Sequence, residues 1–90
     1  MRKYECMYIL DPSLEEKDGK IEEIKRWMEE KGSVEEVDVW GTRKLAYPIK
    51  KKEEGYYVVV RFTSEPEGVQ ELREKFRLEP AVLRFMIVRR

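Results

Sequence analysis

Apolar and polar residues alternate with a period of two along four stretches of this chain, and apolar residues recur with helical spacing along two others. Period-two alternation is typical of strands, whose successive side chains point to opposite faces, whereas apolar residues three and four apart are typical of helices. The pattern therefore predicts strands and helices in the order β-α-β-β-α-β. The predicted strands are 1–10, 37–52, 56–62 and 80–90.

Each predicted helix begins with the spacing of a capping box, in which a serine and a glutamate three residues later satisfy free backbone N–H groups. Ser13 and Glu16 have this spacing before the first helix, which is predicted over 13–31, and Ser64 and Glu67 have it before the second. Gly19 marks a competing start for the first helix, because an interior glycine costs about 1 kcal/mol relative to alanine. The residues predicted to face the core are Leu14, Ile21, Ile24, Trp27, Met28, Val69, Leu72 and Phe76.

The longest predicted feature is a hairpin that runs from Val34 to Phe62. Gly41 interrupts the alternation of its first strand, as is typical of a β-bulge. Pro48 has no N–H to donate, so this strand is expected at an edge of the sheet, and residues 51–55 are predicted to form the turn. A long edge strand with cationic and aromatic side chains is a template for pairing, which indicates that another molecule covers it.

This order of elements predicts one ferredoxin-like α+β domain over residues 1–90, with a βαββαβ four-stranded antiparallel sheet and two helices on one face. Right-handed crossovers place the first and third strands in the middle of the sheet. The other side of the sheet, here named the open face, combines an apolar centre with arginines at its rim, the composition of a binding surface. The residues expected on the open face are Met7, Ile9, Tyr57, Val59, Arg61, Arg84, Met86 and Val88.

Charged residues make up 42% of the chain, yet its formal net charge is zero. The charges are segregated: Lys and Arg exceed Asp and Glu by nine across the four predicted strands, so the remainder carries an excess of nine negative charges. Such asymmetry can orient an anionic polymer, and an ordinary solvated surface is the alternative interpretation. The absence of Asn and His, with a single Gln, resembles the composition of hyperthermophile proteins.

Several classes of function are excluded by residues that the chain does not contain. Without histidine there is no imidazole general base or metal ligand, and the single Cys6 can form neither an internal disulfide nor a cysteine metal cluster. No phosphate-binding glycine loop and no nucleophile elbow are present. No stretch has the ~18 apolar residues of a spanning helix, and no signal peptide is recognisable. We therefore expect a soluble cytoplasmic protein with no metal, no cofactor and no enzymatic activity, in which Cys6 is a buried structural thiol.

Three stretches together resemble one known family. They are residues 1–12, which begin Met-Arg-Lys-Tyr-Glu, residues 41–49, which read Gly-Thr-Arg-Lys-Leu-Ala-Tyr-Pro-Ile, and residues 72–86, with Phe-Arg-Leu and Val-Leu-Arg-Phe-Met. In these stretches and in its βαββαβ order, the whole chain resembles bacterial small-subunit ribosomal protein number six. The resemblance implies a structural constituent of the small ribosomal subunit that binds the central domain of small-subunit ribosomal RNA together with small-subunit ribosomal protein number eighteen, without catalysis. Members often carry a C-terminal tail, and nothing that depends on such a tail is carried over to a chain ending at Arg90.

Cationic side chains on the first and last strands are expected to contact RNA. Contacts with phosphates would release counterions and make binding steeply dependent on salt. Tyr4 has two open interpretations, stacking on an unpaired base and packing in the core, of which core packing is favoured. The predicted RNA-binding residues are Arg2, Lys3, Tyr4, Arg84, Arg89 and Arg90.

The open face and the edge strand are expected to dock the partner protein by strand or side-chain packing. Tyr57 is the one aromatic residue expected on the open face, so that face is predicted to suit protein better than the bases of single-stranded RNA. The predicted partner-binding residues are Met7, Ile9, Trp40, Arg43, Lys44, Leu45, Tyr47, Tyr57, Val59 and Met86.

A second class of function fits part of the pattern. A small regulatory or ligand-binding ferredoxin-like module that homodimerises through its sheet would also have an open face and an exposed edge. It would not account for the segregation of charge or for the 41–49 segment. The ribosomal interpretation expects a monomer when the chain is free, whereas this alternative expects a stable homodimer.

Overall fold

The computed structural model describes residues 1–90, and its elements follow the predicted order. The four strands form one antiparallel sheet in the order β2-β3-β1-β4, which confirms the ferredoxin-like prediction and the placement of the first and third strands in the middle. Neither helix has the length and apolarity needed to cross a lipid bilayer. The elements are β1 (Arg2–Leu10), α1 (Lys17–Glu29), β2 (Gly32–Ile49), β3 (Lys52–Ser64), α2 (Pro66–Arg77) and β4 (Val82–Arg89).

The first helix begins later than its capping-box spacing predicts. Ser13 donates its backbone N–H and its hydroxyl to Asp11 Oδ1, at 2.9 and 2.8 Å, which closes a turn in place of a cap. Glu16 then occupies the N-cap position without a side-chain hydrogen bond, and α1 begins at Lys17, close to the competing start at Gly19. The predicted capping box is wrong here, because the Ser13 side chain is hydrogen-bonded to Asp11 and not to the first N–H groups of the helix.

The second helix also begins without its predicted capping box. Glu65 occupies the N-cap position in an extended conformation and makes no side-chain cap, while Pro66 is the first helical residue, as predicted. The hydroxyl of Ser64 donates instead to the carbonyl oxygen of Glu65 at 2.9 Å. Ser64 is buried at the end of β3, so its side chain serves the strand-to-helix connection and not the helix N–H groups.

The main core lies between the sheet and the two helices, and it contains fifteen buried residues. Phe76 is at its centre: ring centroids of Tyr8, Trp27 and Phe85 lie 5.5, 5.7 and 4.9 Å from that of Phe76. The partly buried Trp27 packs at the rim of this core, as the helical spacing predicts. Alternate residues of β1, including Tyr8, point into this layer, which leaves the intervening residues for the other face.

A second, smaller cluster lies on the other side of the sheet. The β2–β3 hairpin extends past the end of β1 and bends back over the open face, so that Leu45 packs on Ile9 and Leu83. Gly55 permits this approach, because a Cβ there would lie 2.2 Å from Cγ2 of Ile9. Ile9 and Leu45 are therefore 5% and 7% exposed, so their side chains are less accessible than expected, and their contact with a partner stays a prediction. Strand alternation identified their face, but it could not show that the hairpin covers it.

Two backbone features bend the hairpin. Gly41 has φ +87° at a register shift in the β2–β3 pairing, which confirms the predicted bulge. The turn itself consists of Lys50 and Lys51, with φ values of 51° and 67°, and β3 resumes at Lys52, so the prediction of a loop over 51–55 is wrong. Two-residue hairpin turns with positive φ favour Asn-Gly, and the left-handed conformation costs roughly 1–2 kcal/mol for other residues.

Candidate RNA and protein interfaces

The centre of the open face is aliphatic and accessible. Met7 pairs with Val59 on one side and with Met86 on the other, so their side chains share one face. Met86 and Val88 are 52% and 45% exposed, unusually high values for large apolar residues of a sheet. A concavity of about 360 Å³ lies here, lined by Met7, Ile9, Tyr57, Arg84, Phe85 and Met86. An accessible apolar patch with one cation at its rim has the chemistry of a protein-docking surface.

Two aromatic rings lie next to each other at the hairpin edge of this face. Trp40 stacks on Tyr57 with centroids 6.3 Å apart and planes 11° apart, and the Arg43 guanidinium lies 5.3 Å from the Trp40 ring centre. The Trp40 indole N–H donates to Asp38 Oδ2 at 3.1 Å. The prediction that Tyr57 has no aromatic neighbour is therefore wrong. The register of β2 against β3, which depends on the bulge at Gly41, brings the two rings together.

A second cation–aromatic pair connects the two edge strands. Arg84 on β4 donates from Nη1 to the Tyr47 hydroxyl of β2 at 3.1 Å, and its guanidinium lies 5.8 Å from the centre of that ring. The hydrogen bond and the charge of Arg84 lower the pKa of Tyr47 below its ordinary value of 10.0. Two central strands separate β2 from β4 in the sheet, so the contact exists only because the hairpin bends across the face. The structure thus places Arg84 on the protein-like surface, away from the other predicted RNA-binding arginines.

The remaining predicted RNA-binding cations meet at one end of the sheet, here named the basic end (Arg2, Lys3, Arg89 and Arg90). Strands β1 and β4 are antiparallel, so the start of one lies beside the end of the other, and the Arg90 N–H donates to the carbonyl oxygen of Lys3 at 2.9 Å. Arg2, Lys3 and Arg89 are exposed and form no ion pair within the chain. Arg90 is paired with Glu35 at 2.7 Å, a contact that lowers the pKa of Glu35. Three of the four cations are therefore free for an outside anion.

Tyr4, the remaining predicted RNA-binding residue, belongs to the main core. It is 9% exposed, and its ring stacks on Phe62 with centroids 5.7 Å apart and planes 28° apart. A ring with this burial cannot receive a nucleic-acid base, so the base-stacking interpretation of Tyr4 is wrong and the favoured core role is confirmed. Cys6, two residues further along the same strand face, is fully buried, and burial raises the pKa of its thiol. The prediction of a structural thiol at Cys6 is confirmed.

Sequence reasoning missed the carboxylates that compensate or orient these cations and rings. Asp38 orients the indole of Trp40. Arg61, expected at the rim of the open face, is paired with Glu5 and Glu36 at 3.2 and 3.4 Å. The Asp38–Trp40 pair has the two-residue spacing that puts side chains on one face of a strand, so it was recoverable from the sequence. The Arg61 pairs join three strands, and they depend on registers that the sequence does not specify.

Comparison with known proteins identifies the family. Residues 3–89 match the family model described as ribosomal protein S6. The chain is 49% identical over 92 residues to small ribosomal subunit protein bS6 of Caldanaerobacter subterraneus subsp. tengcongensis, covering 99% of this chain and 97% of the relative. It is 50% identical over 91 residues to bS6 of Clostridium novyi, covering 98% and 96%. The crystal structure of 30S ribosomal protein S6 from Thermotoga maritima matches with a TM-score of 0.93 at 38% identity, covering 99% of this chain and 87% of that one. The chain therefore belongs to the ribosomal protein S6 family, whose members are proteins of the small ribosomal subunit and not enzymes.

Proposed function

We propose that this chain works in the cytoplasm as a constituent of the small ribosomal subunit, where it binds the central domain of the ribosomal RNA jointly with small-subunit ribosomal protein number eighteen. One observation carries the proposal: the chain has two accessible surfaces of different chemistry. The basic end carries free cations, and the open face carries accessible apolar side chains. A joint RNA–protein interface needs one surface of each kind.

The basic end supports the RNA half of the proposal. Arg2, Lys3 and Arg89 are exposed, without ion pairs, and lie on two adjacent strands, so together they can follow a phosphate backbone. Phosphate contacts supply affinity and orientation, and each neutralised phosphate releases counterions. Arg90 is expected to contribute less, because Glu35 already compensates its charge.

The open face supports the protein half. Its centre, formed by Met7, Val59 and Met86, carries no charge, as expected for the core of a protein interface. Trp40 and Tyr57 beside it are types enriched among residues that dominate binding energy, and Arg43 and Tyr47 form a polar rim. Lys44 lies opposite Glu54 in the hairpin, away from this rim. Ile9 and Leu45 contribute indirectly, because their packing holds the hairpin in the position that shapes this surface.

Titration of a central-domain RNA transcript tests the proposal. The chain alone, ribosomal protein number eighteen alone and the two together are titrated between 50 and 200 mM salt. We expect tight binding only for the pair. Arg2→Gln with Lys3→Gln should reduce the dependence of affinity on salt by about one unit of slope per lost phosphate contact. Met86→Glu, at an exposed position, should remove the effect of the partner while leaving the fold intact.

Two results would contradict the proposal. One is tight, sequence-specific RNA binding by this chain alone at physiological salt. The other is a stable homodimer in sedimentation velocity, abolished by Met86→Glu, since the open face would then be covered by a second copy of the chain. A monomer that binds the transcript only with its partner supports the joint interface.

A further inference from the structure

Four lysines gather at the turn of the β2–β3 hairpin, and two of them, Lys50 and Lys51, take no part in the ion pairs or the surfaces described above. This hairpin tip, as it is named here, comprises Lys44, Lys50, Lys51 and Lys52, with Glu53 and Glu54 beside them. It lies at the opposite end of the sheet from the basic end: Arg2 pairs with Ser64 at one end of β3, and Ile49 pairs with Lys52 at the other. The chain therefore carries two separate groups of cations.

The charges of the hairpin tip are only partly compensated within the chain. Lys52 pairs with Asp11 at 3.5 Å, and Lys44 lies opposite Glu54 in the hairpin. Lys50 and Lys51 are exposed and have no carboxylate within ion-pair distance. Counting the two glutamates, the tip keeps an excess of two positive charges. A cleft of about 710 Å³ at its side is lined by lysines, glutamates and two prolines.

The backbone at the turn gives a second, independent observation. Lys50 and Lys51 are the only residues other than glycine with positive φ, a conformation in which lysine is disfavoured and Asn-Gly would be preferred. Neither side chain makes a hydrogen bond or ion pair that would offset this cost. Strained backbone conformations that no contact within the chain offsets are concentrated at functional positions in proteins. The two lysines are thus held outward in a conformation that the stability of the chain alone does not favour.

We propose that the hairpin tip is a second RNA-phosphate contact, separate from that of the basic end. The inference rests on the proposed function and adds to it a second point of attachment. A phosphate backbone suits the tip better than a protein does, because lysine is depleted at protein interfaces whereas its ammonium group is a common phosphate ligand. The nine residues of β1 alone separate the two groups by about 27 Å. The long dimension of the molecule is 37 Å, so the two contacts reach different segments of the RNA.

A substitution with opposite effects on stability and affinity tests the inference. Lys50→Asn with Lys51→Gly replaces the strained turn by its preferred sequence and removes both free charges. In complexes with ribosomal protein number eighteen and the central-domain transcript, we expect the salt slope to fall by about two, one unit for each lost contact. For each contact removed, raising the salt from 50 to 200 mM should then weaken the affinity of the variant about threefold less than that of wild type. The thermal unfolding midpoint should rise, and binding of the partner in the absence of RNA should not change.

Two control variants calibrate this result. Lys50→Arg with Lys51→Arg keeps the charge and the strain, and should keep the wild-type slope. Lys25→Gln with Arg26→Gln removes two cations from α1, on the other side of the molecule, and should change the slope by less than the tip variant. An unchanged slope for the tip variant, or a loss of partner binding without RNA, would overturn the inference. Failure of the wild-type pair to bind the transcript at all would instead contradict the proposed function.

Directed cleavage of the RNA locates the two contacts. Cys6 is buried and its thiol pKa is raised, so an iron chelate carried by a thiol reagent will label an introduced surface cysteine selectively. Lys51→Cys and Arg89→Cys place the chelate at the hairpin tip and at the basic end. We expect cleavage at two distinct RNA segments, with none from wild type or from Arg26→Cys. Cleavage from position 89 but none from position 51 would refute the second contact while leaving the first in place.

Discussion

The two faces of the sheet are built from the same strands but closed in different ways. Along β1, Cys6 and Tyr8 point to the helices, while Met7 and Ile9 point to the open face. The helix side is closed by a core of fifteen buried residues, and the other side by three. Most of the packing that stabilises the fold therefore lies on the helix side. The open face needs only enough packing to hold the hairpin, so much of it stays accessible.

The open face is itself divided. The hairpin covers the end near Ile9 and Leu83, where Leu45 is buried, and it leaves Met86 and Val88 accessible. The Arg84–Tyr47 contact lies on the boundary between the covered and the accessible parts. Packed and accessible side chains are therefore adjacent on this face, and substitutions on the two faces should have measurably different effects on stability.

The largest effect is expected on the helix-covered face. Phe76→Ala removes a ring that is 2% exposed and contacts three other aromatic residues, so it should lower the free energy of unfolding by about 3–5 kcal/mol. Urea denaturation followed by circular dichroism measures this. Leu78→Ala, two residues further along at a position that is 79% exposed, is the matched control and should change stability by less than about 0.5 kcal/mol. Similar losses for both variants would contradict the assignment of the core.

A smaller and local effect is expected on the open face. Leu45→Ala should cost about 2 kcal/mol, at the lower end for buried leucines, because its cluster contains few residues and can relax. Amide hydrogen exchange should show lost protection in residues 43–55 only, with the core strands unaffected. Leu45→Met, which conserves volume, should retain most of the protection. Loss of protection in α1 or α2 would show that the two clusters are not separate.

The boundary between the two parts of the open face can be followed through Tyr47. Its pKa is lowered by Arg84, so the ionised phenol is favoured in the folded chain, and its contribution to stability exists at alkaline pH and is lost as pH falls through the folded pKa. The difference in absorbance titration between wild type and Tyr47→Phe should show a midpoint below 10.0. Arg84→Gln should return the midpoint to that value, and high salt should move it in the same direction. A midpoint unaffected by Arg84→Gln would contradict the contact.

The smallest effect is expected at Asp11, where β1 leads toward the helix layer and Lys52 of the hairpin approaches. The Ser13 backbone N–H and hydroxyl lower the pKa of Asp11, with Lys52 adding to the shift. The carboxylate therefore stabilises the fold above the ordinary aspartate pKa of about 3.9, and this contribution is lost as pH falls through the lower folded value. Ser13→Ala should raise the Asp11 pKa in an NMR titration and move the acid-induced loss of stability to higher pH. No change in that pKa would show that the turn is not maintained in solution.

Periodicity predicted the order of elements and the core face, because each depends on local alternation that burial enforces. The sheet order followed from the right-handedness of crossover connections. The local pattern failed at the start of α1, where Asp11 and not the helix takes the Ser13 hydrogen bonds. It also failed at Ile9 and Leu45, since alternation gives the face of a residue but not the path of a distant hairpin. Contacts across strands, such as Trp40 on Tyr57, depend on a bulge whose exact register no local pattern specifies.

Some features of the candidate sites could likewise be predicted from the sequence, and others could not. Strand order alone predicts that Arg2 and Lys3 lie beside Arg89, because antiparallel neighbours bring a chain start next to a strand end. Strand alternation predicted the position of Arg84 on the open face, but not its contact with Tyr47, since that contact depends on the hairpin reaching across two strands. The three lysines at 50–52 were visible in the sequence, but the isolation of Lys50 and Lys51 from carboxylates and the positive φ values of these two residues appear only in the folded hairpin.

The packing of the hairpin against β1 depends on the absence of a side chain at Gly55. Position 55 has no Cβ, and this is where the ribbon of β2 and β3 passes directly over β1. A methyl group added there would meet the side chains of Ile9 and Leu45, so Ile9 or the hairpin would have to shift. The identity of one glycine therefore controls how closely the hairpin packs on β1, and the geometry of the open face can change independently of the core on the helix side.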